Sequence, residues 1–243
     1  ARLLDPEGDA GPDAGADLAR ALGLREAAAL ASPARLEAPR FARPVRVDGL
    51  LDEAAWDPVR GAFLAGPEHL RKVGPPREGM DPFEARLFLG WDEEYLYLAV
   101  RVEDSVHVPI QGDQTLAQGD GILVAFDGDA RGGYDLRGPS DRVLGIGVRN
   151  PPVNPPAPDE IPPGEYEVAR SLDGKAILYE AAIPWSYFGR AAPVAGGSDL
   201  RLDLAISDDD GGGTERVLLW TPGFPMIGVW DGEWGGPGGF APA

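Results

Sequence analysis

The chain contains no cysteine. That excludes disulfide frameworks, thiolate zinc sites, iron–sulfur clusters and thiol nucleophiles, without selecting a compartment. Histidine is almost as scarce. His69 and His107 are the only two, their separation matches no metal-ligand spacing, and no HExxH, GxSxG or Walker pattern accompanies them. Catalysis by histidine is therefore not expected. No run approaches the ~18 consecutive apolar residues of a membrane span. Basic residues are also few. Against 40 Asp and Glu there are 22 Lys and Arg, a formal charge of −18, which repels a phosphate backbone and an anionic membrane surface alike. Nucleic acid is not an expected partner. The chain starts at Ala1 rather than at a methionine, so the absence of an export signal at its start is no argument for the cytoplasm.

What the chain has in quantity is glycine (34) and proline (25), set in a length of 243 residues with 43% hydrophobic content. Enough apolar surface for a core, divided by so many turn formers, favours short strands joined by long loops. Residues 1–38 lack aromatic side chains and read as a linker. Inside it Asp17 to Leu30 places Leu18, Leu22 and Ala29 at near-helical spacing, with Asp17 as cap and Pro33 and Pro39 as stops, which predicts one short helix. From residue 39 to 243 the texture is that of an all-β domain. Eight alternating runs are expected as strands: Phe83 to Leu89, Glu94 to Glu103, Gly121 to Phe126, Val143 to Val148, Glu165 to Arg170, Lys175 to Ile183, Leu200 to Ser207 and Arg216 to Thr221. In Glu94 to Glu103, Leu96, Leu98, Val100 and Val102 share one face. Tyr95, Tyr97, Ala99 and Arg101 share the other, which is half-polar. The stretch Asn150 to Gly164 holds seven prolines and must run along a surface or an edge.

Five segments in order carry a resemblance. They are VRVDGLLDEAAWDPV (Val45 to Val59), LGWDEEYLYLAVRVEDS (Leu89 to Ser105), QGDGILVAFDGD (Gln118 to Asp129), YEAAIPWSYFG (Tyr179 to Gly189) and LRLDLAISDDDGGGTERVLLWTPG (Leu200 to Gly223). Together, over roughly Val45 to Trp230, they resemble the family 9 carbohydrate-binding modules and the wider DOMON-like group. The resemblance implies a two-layer antiparallel β-sandwich, immunoglobulin-like in general shape, and an exported, non-catalytic binding module working with a carbohydrate-active enzyme or a cell-envelope protein. The wider group also contains haem-binding domains and proteins of the envelope without a ligand, and these stay open as alternatives.

The residues support several of these pieces independently. Asp48 and Gly49 suit a turn, and Asp52 can cap a short helix that presents Ala55 and Trp56 to the sheet. Pro184 ends a strand and drops Trp185 against the core. Forty carboxylates always permit some acid and base pair, but the ~5 to 9 Å separation a glycosidase needs cannot be read from sequence, so no catalytic residue is assigned.

Aromatic rings pack on the C–H faces of sugars while amides, carboxylates and guanidinium groups meet the hydroxyls. With Trp56 and Trp185 assigned to the core, Trp91, Trp220, Trp230 and Trp234 remain. Trp220 corresponds in position to the strand-end tryptophan that forms one wall of the aromatic sandwich around a terminal sugar in family 9 modules. Trp91 or Trp230 is the expected second wall, and Arg101 and Arg216 are the expected rim donors. Its apolar neighbours Val217 to Leu219 equally suit a core position for Trp220. For hard cations, Asp127 and Asp129 imitate the start of a calcium loop, with Arg131 where a further oxygen is wanted. Asp208 to Asp210 form a second acidic turn, which is either solvated or neutralised. Structural calcium, implied by the resemblance, is expected at Asp127, Asp129, Asp208 and Asp210. Haem would need an axial ligand such as Met80 or Met226, and two methionines in such a chain read as filler.

Overall fold

A computed structural model of the protein describes residues 2–3, 36–57, 61–67, 69–72, 83–109, 119–127, 141–147, 166–188, 199–213 and 215–220. Twelve strands occur among them: β1 (Arg2–Leu3), β2 (Leu36–Glu37), β3 (Ala62–Leu64), β4 (Leu70–Lys72), β5 (Glu84–Trp91), β6 (Tyr95–Glu103), β7 (Gly121–Asp127), β8 (Asp141–Ile146), β9 (Tyr166–Arg170), β10 (Ala176–Pro184), β11 (Asp199–Asp208) and β12 (Arg216–Leu219). One 3₁₀ turn, Trp185–Phe188, follows β10. The eight runs expected from alternation are β5 to β12, each displaced at its ends by no more than the usual fraying. The four strands that the pattern did not reveal are two or three residues long, too short to show a period.

The strands form two sheets. One runs β3-β5-β6-β10-β9, and the other is built on β11, which pairs with β7, β12 and β1, with β8, β4 and β2 outside them. All pairings are antiparallel except β1 with β11. Arg2–Leu3 and Leu36–Glu37, at the two ends of the segment read as a linker, thus pair in the second sheet. The expected helix over Asp17 to Leu30, and the proline-rich stretch, lie outside the described residues.

Alternation determines which side chains meet. Leu96, Leu98, Val100 and Val102 of β6, with Ile177, Tyr179, Ala181 and Ile183 of β10, face Ile122, Val124 and Phe126 of β7 and Leu200, Leu202, Leu204 and Ile206 of β11 in one continuous core. Burial of each such large aliphatic side chain stabilises by roughly 1.5–3 kcal/mol. Trp185 joins this core, and its indole N–H donates to the Asp92 carbonyl at 3.0 Å. Asp92 in turn closes the β5–β6 turn by accepting from the Glu94 and Tyr95 amides and from the Tyr97 hydroxyl.

The outer face of the five-stranded sheet differs from the half-polar surface that alternation predicts. Part of it is buried beneath the segment Phe41 to Trp56, which packs Phe41, Val45 and Trp56 on Phe88, Tyr97, Ala99 and Ala182. Glu180, fully buried, pins this flap. Its carboxylate accepts from the Asp48 and Gly49 amides at 2.8 and 2.9 Å and from the Trp56 indole at 2.9 Å. Burial pushes the Glu180 carboxyl above its ordinary pKa, against the pull of those three N–H groups. Gly49 sits at φ +75° with Ala169 close by, and Gly90 leaves the space that the Phe41 ring fills. The short helix expected after Asp52 is a turn, closed by a Trp56 amide to Glu53 carbonyl bond of 2.9 Å. Packing of Trp56 requires only that turn.

Candidate functional site

At one end of the sandwich the two sheets each deliver carboxylates to the same place. Asp104 follows the last residue of β6, Asp208 is the last residue of β11, and Asp210 stands two residues further on. One oxygen from each lies within 4.8 Å of the other two. Asp208 is completely buried and Asp104 nearly so. The turn beyond is built from the neighbouring residue. Asp209 accepts from the amides of Gly211, Gly212 and Gly213, of which Gly211 and Gly213 take positive φ, so its side chain closes the loop. Asp120 holds the turn from the side of β7, accepting from the Asp209 and Val108 amides.

The electrostatics of this end are those of a site short of positive charge. Burial, opposed by the Val106 amide and reinforced by Asp120, Asp208 and Asp210, raises Asp104 from 3.8 to about 7. Asp208 is raised to about 6 by burial, although Arg216 pulls it down. Arg216 Nε donates to Asp208 Oδ2 at 2.5 Å, and its guanidinium lies 4.9 Å from the Phe83 ring centre. Asp208 Oδ1 is buried with no hydrogen-bond partner among the described residues. An unpartnered buried carboxylate oxygen is costly, and three carboxylates that converge within 4.8 Å form the donor set that a hard divalent cation takes. The residues present therefore fit calcium.

The acidic turn is thus not the solvated hairpin that its composition also permits, because Asp208 and Asp209 are buried. Asp127 stands at the far end of β7, opposite Arg201 and Asp141 in register, while Asp208 lies at the other end of β11. Asp129 is outside the described residues. Asp208 and Asp210 are therefore joined by Asp104 rather than by Asp127. Asp104 was visible in sequence only as the carboxylate closing an alternating strand. Nothing local showed that it would meet the turn after β11.

The aromatic candidates are distributed differently from the expected arrangement. Trp220 and Trp91 are 5% and 7% exposed and belong to the core between the sheets. The indole nitrogen of each is buried without a partner among the described residues. Arg40 lies 5.7 Å over Trp91. Arg216, one of the expected rim donors, is buried against Asp208. Arg101, the other, is on the outer face of the opposite sheet, paired with Glu103 at 2.7 Å. Trp230, Trp234, Met80 and Met226 lie outside the described residues. Arg101 does not share a face with the two tryptophans, because alternation along β6 sends it outward while Trp91 and Trp220 lie in the core between the sheets.

The described residues form an antiparallel two-sheet fold whose one end gathers carboxylates from both sheets. Residues 47–223 match the carbohydrate family 9 binding domain-like family, and the chain belongs to that family. Among solved structures it is similar to a family 9 carbohydrate-binding module from Caldicellulosiruptor kristjanssonii in complex with glucose, at 15% identity and a TM-score of 0.51, covering 76% of this chain and 84% of that one. A module of the same family and organism in complex with cellotriose gives 16% identity, a TM-score of 0.49, and coverage of 75% and 83%. No curated protein matches the chain.

Proposed function

We propose that the protein is a non-catalytic module that binds carbohydrate outside the cytoplasm, beside a carbohydrate-active enzyme or a cell-envelope component, and that it holds a calcium ion. The observation that carries the sugar reading is the family match over residues 47–223. The glucose complex of a module sharing the fold supports it. Among the described residues no helix is long and apolar enough to cross a membrane.

Stacking on a terminal sugar centres on Trp220 in this reading, with Trp91 or Trp230 as second wall and Arg216 as rim donor. A buried indole N–H ordinarily has an acceptor. That of Trp220 lacks one among the described residues, and a sugar hydroxyl would supply it. Burial of the ring means that stacking requires Trp220 to be uncovered. The same burial favours a second reading, a structural envelope protein that keeps the sandwich without a ligand. Titration with glucose and cellotriose, read by tryptophan fluorescence and calorimetry, separates the two. Saturable binding in the micromolar to millimolar range, ordinary for a small polar ligand, is expected. Silence toward both, and across a glycan array, favours the structural reading.

Asp104, Asp208 and Asp210 are the residues that would hold calcium, and the ion would supply the positive charge that three converging carboxylates lack. Arg216 fixes Asp208 through Oδ2 and so leaves Oδ1 toward the site. Because Asp104 directly follows a strand of one sheet and Asp208 ends a strand of the other, a bound ion would tie the two layers together. Chelator should therefore lower the melting midpoint.

A further inference from the structure

The outer face of the five-stranded sheet is covered only in part by the segment Phe41 to Trp56. Beyond that flap a different set of side chains points outward. Phe63 on β3 stands opposite Arg86 on β5, and Arg86 stands opposite Arg101 on β6. One row along, Glu84 stands opposite Glu103. Phe63 is 52% exposed and is the one aromatic among the exposed large hydrophobic residues described. Its ring is held by the Arg86 guanidinium, 5.3 Å from its centre. Arg101 grips Glu103 through Nε and Nη2, at 2.7 and 3.3 Å.

Like charges directly opposite each other on neighbouring strands are unfavourable, yet this patch sets arginine against arginine and glutamate against glutamate. Arg101 is balanced along its own strand by Glu103, and Glu84 stands two residues before Arg86 on β5. The result is a square of two guanidinium groups and two carboxylates, net neutral, in a chain of charge −18. We propose that this square and Phe63 form a second carbohydrate contact surface, which takes an uncharged glycan chain lying across β3, β5 and β6. The inference rests on the carbohydrate-binding reading above and is independent of Trp220.

The chemistry selects that occupant. Carboxylates accept from sugar hydroxyls and guanidinium groups donate to them, so a planar array of both suits neighbouring hydroxyls that each donate and accept. An exposed ring at the edge of the array offers the flat apolar surface that a pyranose face needs. A polyanion would meet Glu84 and Glu103, and a polycation would meet Arg86 and Arg101. A neutral polyhydroxylated chain meets no unmatched charge. The platform is also rigid. Ala62 and Leu64, on either side of Phe63, pack on the core, and Leu64 is fully buried.

The test is affinity electrophoresis of the intact chain in native gels containing barley β-glucan, with polygalacturonate as the charged comparison and glucose binding followed in solution. Wild type should be retarded by the β-glucan and not by polygalacturonate. Phe63→Ala and Arg101→Gln should each weaken retardation about tenfold or more, while melting as wild type does. Equal retardation of Phe63→Ala and wild type overturns the inference, as does retardation by polygalacturonate alone. A wild type that binds glucose in solution but ignores the glucan refutes this surface and leaves the carbohydrate-binding reading standing. One that binds neither refutes both.

Discussion

Asp104→Asn separates charge from calcium binding, because removing the charge favours the variant in chelator whereas adding calcium favours wild type. In the folded chain the Asp104 carboxyl is raised from 3.8 to about 7, first by burial and then by its acidic neighbours. Each pH unit of such a rise is worth ~1.4 kcal/mol, so keeping this group ionised costs the fold up to about 4 kcal/mol above pH 7. Asparagine keeps an oxygen for the Val106 amide, which donates to Asp104 Oδ1 at 2.9 Å, and carries no charge. The raised folded value means that the fold holds the proton more tightly than the unfolded chain does. Below about pH 4 both states are protonated and the substitution is neutral. Stability of the wild type is then lost progressively as pH rises from about 4 to about 7, and the variant is spared that loss. In chelator at pH 8, Asp104→Asn should therefore unfold at higher temperature or denaturant than wild type, by an amount that vanishes at pH 4. With calcium the gap narrows. Wild type gains by mass action, about 2.7 kcal/mol when free ion is a hundred times its dissociation constant, and the variant, lacking one ligand charge, gains less. Thermal melts in chelator and in calcium at pH 4, 6 and 8 read all of this. A variant less stable than wild type in chelator at pH 8 would refute the charge argument. A wild type whose midpoint ignores calcium would refute the metal argument.

Two further outcomes follow from packing. Trp220→Ala removes a ring that is 5% exposed in the main core and should cost about 3–5 kcal/mol, measured by urea unfolding. A variant that keeps wild-type stability but loses sugar binding would show instead that the ring is an accessible platform. Glu180→Ala leaves the Asp48 and Gly49 amides and the Trp56 indole without their acceptor. At about 1–3 kcal/mol for each buried donor, the segment Phe41 to Trp56 should detach, seen as proteolytic cleavage within it before global unfolding. Resistance equal to wild type would mean that Phe41, Val45 and Trp56 hold the flap by packing alone.

The sequence by itself determined the eight longer strands, because a period of two is a local property. The alternation in Tyr95 to Glu103 states which side chains face the core without knowledge of any partner strand, and Asp92, Gly174 and Asp208 to Gly213 mark turns by their own chemistry. Three things were decided only by the tertiary structure. The outer face of β6 reads as half-polar, but Tyr97 and Ala99 are buried because a segment some fifty residues upstream lies over them, anchored by Glu180 from a distant strand. The carboxylates of the acidic end come from opposite sheets, and sequence spacing cannot show that Asp104 and Asp208 meet. Trp220 carries the position expected of a sugar wall, yet it lies in the core between the sheets, held where its amide donates to the Leu204 carbonyl of β11. Local pattern fixes what each strand can present. Pairing between distant strands decides to what it is presented, since the two faces of a strand are distinguished only by what packs on them.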